Sequence, residues 1–215
     1  MATFKVVVGD PEAKDPKEVY VRVVESSELK LTEAMKEGRE LLRARANPKL
    51  VENLKTPYRI ATIRIWKDRA RKEKLSLTVR LELDPSVPEG VVYVPAGPLS
   101  EKLGSSEALA EIFRAKNFQI VVDGSRAAAF IGKKIGDTLD ASIIGLSGKK
   151  LLITGGSDSS GFPMLQSVPG SAKRLLLLSS PPGYHPHNEG ERRRKMVRGN
   201  TVSEDVVQIN TKLVD

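Results

Sequence analysis

Short runs of β-forming residues alternate with glycine- and proline-rich turns after residue 117. The runs include "FQIVVDG", "ASIIGLSG", "KKLLITGGSD" and "DVVQINTKLV". Strand-length runs separated by turn signals at intervals of roughly 8 to 12 residues are typical of a small closed barrel or a β-sandwich. We therefore expect a mainly β fold whose core is a small closed β-barrel.

The first half of the chain combines strand patterns with two helical ones. Strands are expected at residues 3–8, 19–24, 58–66 and 75–83 and within 88–98. Apolar residues at helical spacing predict one helix within residues 28–48 and a second within residues 105–118, with Leu109, Ile112 and Phe113 on one face. This half is therefore expected to be α/β, with two helices and a β-hairpin whose tip is the charged segment 67–74.

Composition excludes several kinds of chemistry. The chain of 215 residues has no cysteine and only two histidines, so disulfides, thiolate zinc sites and cysteine nucleophiles are excluded. No apolar run approaches the roughly 20 residues of a membrane-spanning helix, and the N-terminus lacks the pattern of a signal peptide. We expect a cytoplasmic protein with no metal, no cofactor and no membrane or small-molecule partner.

Positive charge is the clearest indication of a partner. The net charge is +8, which favours a polyanion such as nucleic acid. The densest cluster lies between residues 181 and 200 and comprises Arg192, Arg193, Arg194, Lys195 and Arg198. Such a cluster repels itself unless counter-charge is supplied, and the phosphates of a nucleic acid supply it. The alternative is a solvated charge run.

The residues around this cluster favour RNA. Arginine makes bidentate phosphate contacts and stacks on bases. Tyr184 is a further candidate for stacking, and His185 and His187 could donate hydrogen bonds to phosphate or ribose. No recognition helix, zinc finger or zipper pattern is present, so RNA is favoured over DNA.

Three blocks of the second half follow one another in a specific order: "IGKKIGDTLDASIIGL", "LLITGGSDSSGFPM" and "GERRRKMVRGNTVSEDVVQINTKLV". Together with the opening "MATFKVVVGDP" they resemble the signature blocks of the ribosomal protein S6e family of archaea and eukaryotes. The resemblance implies a β-barrel domain of residues 1–16 and 117–215 that binds small-subunit ribosomal RNA (rRNA) beside neighbouring ribosomal proteins, without catalysis. Besides the arginine cluster, the basic residues that it assigns to RNA are Lys173, Arg174, Lys133, Lys134, Lys149 and Lys150.

The chain departs from the family pattern in three places. Members usually pass quickly from the first strand to the "IGKKIGD" block, whereas residues 17–116 intervene here. These residues are therefore expected to be an inserted α/β lobe in the first loop of the barrel. "HPHNE" stands where the family tends to have more arginines, so RNA contact there is expected to be weaker or of another kind. The chain stops soon after "QINTKLV", without the phosphorylated C-terminal helix of eukaryotic members, so kinase regulation is not carried over.

The hairpin tip of the inserted lobe is a second candidate RNA contact. Its basic residues are Lys67, Arg69, Arg71, Lys72 and Lys74. A solvated turn explains the same residues equally well.

Two other functions remain as alternatives. "ITGGSDSSGFPM" resembles the phosphate loop of PP-loop ATP pyrophosphatases, but that loop needs a helix after it, and Pro169 and Gly170 break any helix within two turns. Nucleophilic catalysis by its serines would need His185 or His187 as the base. We therefore expect a strand-ending turn and no enzyme. An RNA-binding regulator acting off the ribosome shares every electrostatic feature and stays open.

Overall fold

The computed structural model describes residues 2–14 and 17–215 and divides into two compact units. Residues 1–9 and 119–215 form the first, here called the terminal unit, and residues 10–118 form the second, the central unit. These limits lie near the boundaries 16/17 and 116/117 expected from the sequence.

Strands make up most of the regular structure. In chain order they are β1 (Thr3–Gly9), β2 (Val19–Ser26), β3 (Leu42–Ala46), β4 (Ile60–Asp68), β5 (Glu73–Leu83), β6 (Val91–Pro95), β7 (Glu107–Arg114), β8 (Asn117–Asp123), β9 (Thr138–Asp140), β10 (Lys150–Asp158), β11 (Lys173–Leu178), β12 (Arg193–Arg198) and β13 (Val206–Val214). The helices are α1 (Glu33–Lys36), α2 (Pro48–Leu54), α3 (Pro98–Leu103) and α4 (Gly124–Ala128), with one 3-10 helix at Ala141–Ile144.

Strands β2 to β7 of the central unit close into a barrel in the order β2-β6-β3-β5-β4-β7. Two pairs, β2 with β6 and β3 with β5, are parallel, and the remaining pairs are antiparallel. Closure of the sheet removes the free strand edges that would otherwise need protection.

Alternating side chains of these strands fill the barrel. Along β4, Ala61, Ile63 and Ile65 are buried, whereas Thr62 and Arg64 between them are partly exposed. This is the period-two pattern of a half-buried strand. Full burial of an aliphatic side chain of this size contributes about 1.5–3 kcal/mol relative to exposure, which makes the barrel interior the core of this unit.

The prediction of a helix within residues 105–118 is wrong. Residues 107–114 form β7, which pairs with β2 on one side and with β4 on the other. A helix would have placed Leu109 on the same buried face as Ile112 and Phe113, but Leu109 is 79% exposed while Ile112 is fully buried. Pairing along both edges outweighs the local helical pattern.

The helix expected within residues 28–48 is much shorter than expected. Only α1 is helical before Gly38, which has a φ of 76° and lets the chain leave the helix, since glycine adopts this backbone conformation without steric cost. The apolar residues that follow belong to β3, where Ala44 and Ala46 are buried in the barrel.

A mainly β fold with a closed barrel is confirmed, but the position of the barrel differs from the expectation. It lies in residues 17–116, which were expected to form an α/β lobe of two helices and a hairpin. The hairpin of β4 and β5 exists as one part of the barrel. In the terminal unit, expected to be the barrel, β8-β1-β13-β10-β9 form an open sheet, and β11 and β12 form a separate two-stranded sheet.

The terminal unit has its own core around the parallel strands β1 and β13. Phe4, Val6 and Val8 point to one face of β1 and are fully buried. Phe4 meets Phe130 edge to face, with ring centroids 6.4 Å apart. The five-stranded sheet therefore supplies a rigid support for the segments that connect β10, β11 and β12.

The glycine-rich stretch 153–164 ends β10 and forms the turn that follows, as expected. Gly156 lies against β13, and a Cβ atom there would be 2.5 Å from the backbone oxygen of Gln208. No helix occurs between β10 and β11, and the next regular pairing is the bridge between Ser157 and Pro163. The helix N-terminus that a nucleotide loop of this type requires is absent from this fully described stretch.

Candidate nucleic-acid interface

The two-stranded sheet of β11 and β12, here called the basic ribbon, gathers the two most basic segments of the terminal unit. Its exposed cations are Lys173, Arg174, Arg193, Arg194 and Lys195, and exposed Arg192 immediately precedes β12 and is counted with them. The strands are antiparallel, with Lys173 opposite Arg198 at one end and Leu178 opposite Arg193 at the other. At about 3.4 Å per residue, the charge extends over roughly 17 Å.

One face of the basic ribbon packs on the loop that connects its strands. Val197 is buried on this face, and Gly183 of the loop lies directly against Val197 and Leu178. Tyr184 is only 6% exposed, and the Nζ atom of Lys195 lies 5.9 Å from the centroid of its ring. Burial, followed by the neighbouring Glu191 carboxylate, raises the pKa of Tyr184. The ring is therefore covered, and the stacking role expected for Tyr184 is corrected to a packing role.

The other face of the basic ribbon exposes apolar side chains that the sequence reasoning missed. Leu175 and Leu177 are 55% and 59% exposed. Met196 is opposite Leu175, and Arg194 is opposite Leu177. The available signal was the run "RLLLL" in a strand, because alternate residues of a ribbon covered on one side must point away from the core. Two exposed leucines side by side are a candidate contact surface.

Asp158, at the end of β10, holds the basic ribbon to the five-stranded sheet. Its Oδ2 atom lies 3.1 Å from Nε of Arg198 and 3.1 Å from Nζ of Lys173. Its Oδ1 atom accepts hydrogen bonds from the amides of Ser160 and Phe162, each at 2.9 Å. Burial alone would raise the pKa of Asp158, but the Phe162 amide, Lys173 and Arg198 outweigh it and hold the pKa below its ordinary value.

Arg198 is enclosed rather than exposed, unlike the other arginines of the cluster. Its side chain is 6% exposed and ion-paired with both Asp158 and Asp205. It also donates hydrogen bonds to Ser203 Oγ at 2.9 Å and to the Ser171 carbonyl at 3.2 Å. With these partners Arg198 stabilises the ribbon, so we correct its expected role as an RNA contact.

The four lysines expected to bind RNA fall into two places. Lys133 and Lys134 are exposed and lie beside the segment that follows β12. Lys134 forms an isolated antiparallel β-bridge with Thr201 of that segment. Lys149 and Lys150 lie at the start of β10, roughly 26 Å along that strand from Asp158 at 3.3 Å per residue. Lys149 is ion-paired with Asp215. Of these lysines, the fold thus brings only Lys133 and Lys134 to the base of the basic ribbon, which is the end where Lys173 is opposite Arg198.

The remaining cations of the cluster differ in their counter-ions. Nε of Arg193 lies 3.1 Å from Oε1 of Glu191. The carboxylate of Glu191 also accepts a hydrogen bond from the backbone amide of His187. Within the described residues, Arg192 and Arg194 form no ion pair. His185 and His187 are both exposed in the connecting loop. Arg192 and Arg194 therefore need an external anion, and the same holds for exposed Arg174 and Lys195, which form no ion pair within the described residues either.

Most basic side chains of the hairpin tip have a partner within the central unit, although the side chains of Arg69 and Arg71 are 67% and 80% exposed. Arg69 donates a hydrogen bond of 2.9 Å to the buried carboxylate of Glu111. The same carboxylate accepts a hydrogen bond from Nε1 of Trp66. The other tip contacts are Lys67 Nζ to the Lys102 carbonyl, Arg71 to Asp68 at 3.6 Å, and Lys74 Nζ over the Trp66 ring at 5.7 Å. Lys72 is exposed. These contacts favour a structural role for the tip.

Residues 2–14 and 17–215 contain neither a cluster of metal ligands nor a membrane-spanning helix. No group of three or more His, Asp or Glu side chains there could hold a metal ion. Likewise, no helix in those residues has the length and apolar character needed to span a membrane.

Comparison with known proteins gives the family. The family model of ribosomal protein S6e matches residues 108–215. Proteins named small ribosomal subunit protein eS6 from Hyperthermus butylicus and Staphylothermus marinus are each 48% identical to this chain, over 100% and 98% of it and 98% of their own lengths. The protein of that name from Sulfolobus acidocaldarius is 39% identical over 100% of both chains. The chain belongs to the ribosomal protein S6e family, which is a family of structural components and not of enzymes.

Solved structures show a more distant likeness. The computationally designed msDPBB_sym2 protein is similar to 46% of this chain, with 17% identity and a TM-score of 0.32.

The relatives also correct the expectation that residues 17–116 are an insertion by which this chain departs from its family. The match to the Hyperthermus butylicus protein spans 215 residues and nearly all of both chains. The segment that forms the barrel therefore has a counterpart in these relatives.

Proposed function

We propose that this protein is a constituent of the small ribosomal subunit and binds small-subunit rRNA through the basic ribbon. The observation that carries the proposal is the exposure of Arg194 in β12 and of Arg192 immediately before it, both without counter-ions in the described residues, at a two-stranded sheet fixed by Asp158. The relatives named as small-subunit proteins support the assignment to that particle.

The chemistry of the ribbon suits a phosphate backbone. The guanidinium groups of Arg192, Arg193 and Arg194 can each bind a phosphate through two parallel hydrogen bonds. Lys133 and Lys134 add point charges at the base of the ribbon. The exposed Leu175 and Leu177 supply apolar contact area, either to RNA or to a neighbouring ribosomal protein.

Sedimentation of cell lysate tests this function. The protein, followed by immunoblot on a sucrose gradient, should co-sediment with the small subunit at moderate salt and leave it only after high-salt stripping. The Arg192→Ala/Arg194→Ala variant should shift towards the top of the gradient. The charge-matched control is Lys5→Ala/Lys212→Ala, which removes two exposed lysines of β1 and β13.

Two results would contradict the proposal. If the wild-type protein stays at the top of the gradient, it acts off the ribosome as a free RNA-binding regulator or by another route. If both double variants leave the particle equally, the ribbon is not the main contact.

A further inference from the structure

A cavity of about 650 Å³ opens in the terminal unit beside the basic ribbon. Its walls are Ile135, Thr154 of β10, the turn from Met164 to Ser167, and Leu178 with residues 180–182 of the chain that leaves β11. The volume is within the range of ligand sites in proteins, about 300–1,000 Å³.

The walls of this cavity are fixed by the same elements that hold the ribbon. The pairing of β10 with β13 shifts register between Ile153 and Gly155, which leaves Thr154 as the extra residue of a β-bulge. Thr154 donates its hydroxyl to the Asn210 carbonyl at 3.1 Å. The turn is tied to the end of β12, since the Leu165 amide donates to the Arg198 carbonyl at 2.9 Å. A ligand would therefore meet a preformed site.

The lining combines apolar surfaces with unused polar groups. Met164, Leu178 and the rings of Pro181 and Pro182 give the apolar part. Gln166, Ser167 and Ser180 are exposed, and their side chains make no hydrogen bond within the described residues. None of the residues that line the cavity is charged. This lining matches a flat, neutral group with hydrogen-bonding edges, which is the chemistry of a nucleobase.

The positive charges lie at the rim of the cavity and not inside it. Leu178 is directly opposite Arg193 in the ribbon, and Lys134 immediately precedes the lining residue Ile135. A strand of RNA held by these cations at its phosphates would carry its bases past the opening. We propose that the cavity receives one unstacked nucleobase of the rRNA, with Gln166 and the two serines contacting its edge. This inference rests on the proposed rRNA binding and adds base recognition to it.

Chemical probing of the rRNA in purified small subunits tests the site. Dimethyl sulfate, kethoxal and a carbodiimide together report the Watson–Crick edges of all four bases. Subunits would come from cells that contain only the wild-type protein, Ser180→Phe, which fills the cavity, or Ser179→Phe, a neighbouring exposed serine that does not line it. Gln166→Ala removes the amide without adding bulk, and its matched control is Gln119→Ala at an exposed position of β8.

The expected result is a single nucleotide that is protected in wild-type subunits and becomes severalfold more reactive with Ser180→Phe. The same nucleotide should gain reactivity to a smaller degree with Gln166→Ala, while Ser179→Phe and Gln119→Ala leave it protected. All four variants should still co-sediment with the subunit, because the ribbon is intact.

Other outcomes overturn the inference. Variants that enter the subunit with unchanged probing patterns would show that no base occupies the cavity. A photo-crosslinker placed at Gln166 that captures a ribosomal protein and no rRNA would assign the cavity to a peptide. Absence of the wild-type protein from the subunit would instead refute the proposed function, and the base site with it.

Discussion

Asp158 accepts contacts from two cations and two backbone amides, and it is the only one of these partners that belongs to the five-stranded sheet. Its side chain is fully buried, and that of Arg198 is 6% exposed. Removing one partner of a buried ion pair leaves the other charge uncompensated, which costs more than the pair itself contributes. We therefore expect the position of the ribbon to depend on Asp158.

Substitution of Asp158 by alanine should lower the free energy of unfolding by about 2 kcal/mol, because Arg198 and Lys173 would lose their shared carboxylate. Urea unfolding followed by circular dichroism measures the loss. The control is Asp205→Ala, which removes the other carboxylate on Arg198, one that is 69% exposed. That variant should lose less than about 1 kcal/mol. Equal losses would contradict the role given to Asp158.

The stabilisation from Asp158 should depend on pH in a defined direction. Its pKa is lowered in the folded protein, so the carboxylate contributes fully above the ordinary aspartate pKa of about 3.9 and loses its contribution as pH falls through the folded value. The difference in unfolding free energy between wild type and Asp158→Asn should be constant from about pH 7 to about pH 5 and shrink below about pH 4. A difference that grows on acidification would show that the pKa is raised instead.

Gly156, in contrast to Gly155, shows how strand β10 depends on the close approach of strand β13. Both lie in β10, but a Cβ on Gly156 would clash with the Gln208 backbone oxygen and approach Met164 Sδ at 2.9 Å, whereas nothing lies within 4 Å of a Cβ on Gly155. The wall of the cavity and the anchor of the ribbon therefore both rest on the close pairing of β10 and β13.

Alanine at Gly156 should destabilise the protein by about 1–3 kcal/mol, because backbone atoms of β13 must move to accommodate the methyl group. The same change at Gly155 should have little effect. Thermal unfolding of the two variants, recorded by circular dichroism, gives the comparison. Similar melting temperatures for both would show that β10 and β13 can separate without cost.

The basic elements of the two units should differ in their effect on binding. Charge reversal at Arg69 and Arg71 should weaken association with the small subunit less than charge reversal at Arg193 and Arg194, because Arg69 is held by Glu111 within the barrel. Quantitative immunoblots of gradient fractions, normalised to folded protein, provide the measurement. An equal or larger loss from the hairpin variant would reverse this ranking.

Local patterns predicted some elements well and others poorly, for identifiable reasons. The period-two alternation of residues 58–66 and 75–83 gave β4 and β5, because one side of each strand is buried and the other faces solvent. The same reasoning failed for β7, in which the four consecutive residues 110–113, Glu111 among them, are buried and Leu109 is exposed. Glu111 is buried because Trp66 and Arg69, far away in sequence, satisfy its carboxylate. Contacts of that kind leave no local signal.

For the molecule as a whole, the sequence predicted the class and the family but not the arrangement. The signature blocks identified the family, and the strand patterns predicted a mainly β chain, but the closed barrel was expected in the terminal unit and lies in the central unit. Which strands close the barrel depends on pairings such as β2 with β7, distant along the chain, that no local periodicity encodes. Likewise, charge density located the arginine cluster, whereas only the fold shows that Arg198 points inward and that Leu175 and Leu177 point outward.

Binding of small-subunit rRNA by the basic ribbon through phosphates should depend steeply on salt concentration. Filter binding of purified protein to small-subunit rRNA should weaken roughly a thousandfold between about 50 and 200 mM salt if about six phosphates are contacted. The Arg192→Ala/Arg194→Ala variant should reduce the slope of log affinity against log salt by about 1.5, since each lost contact removes about 0.7 to 0.9. The Lys5→Ala/Lys212→Ala control should keep the wild-type slope. A slope unchanged by the arginine substitutions, or reduced equally by the control, would show that the basic ribbon is not the part that binds the phosphates.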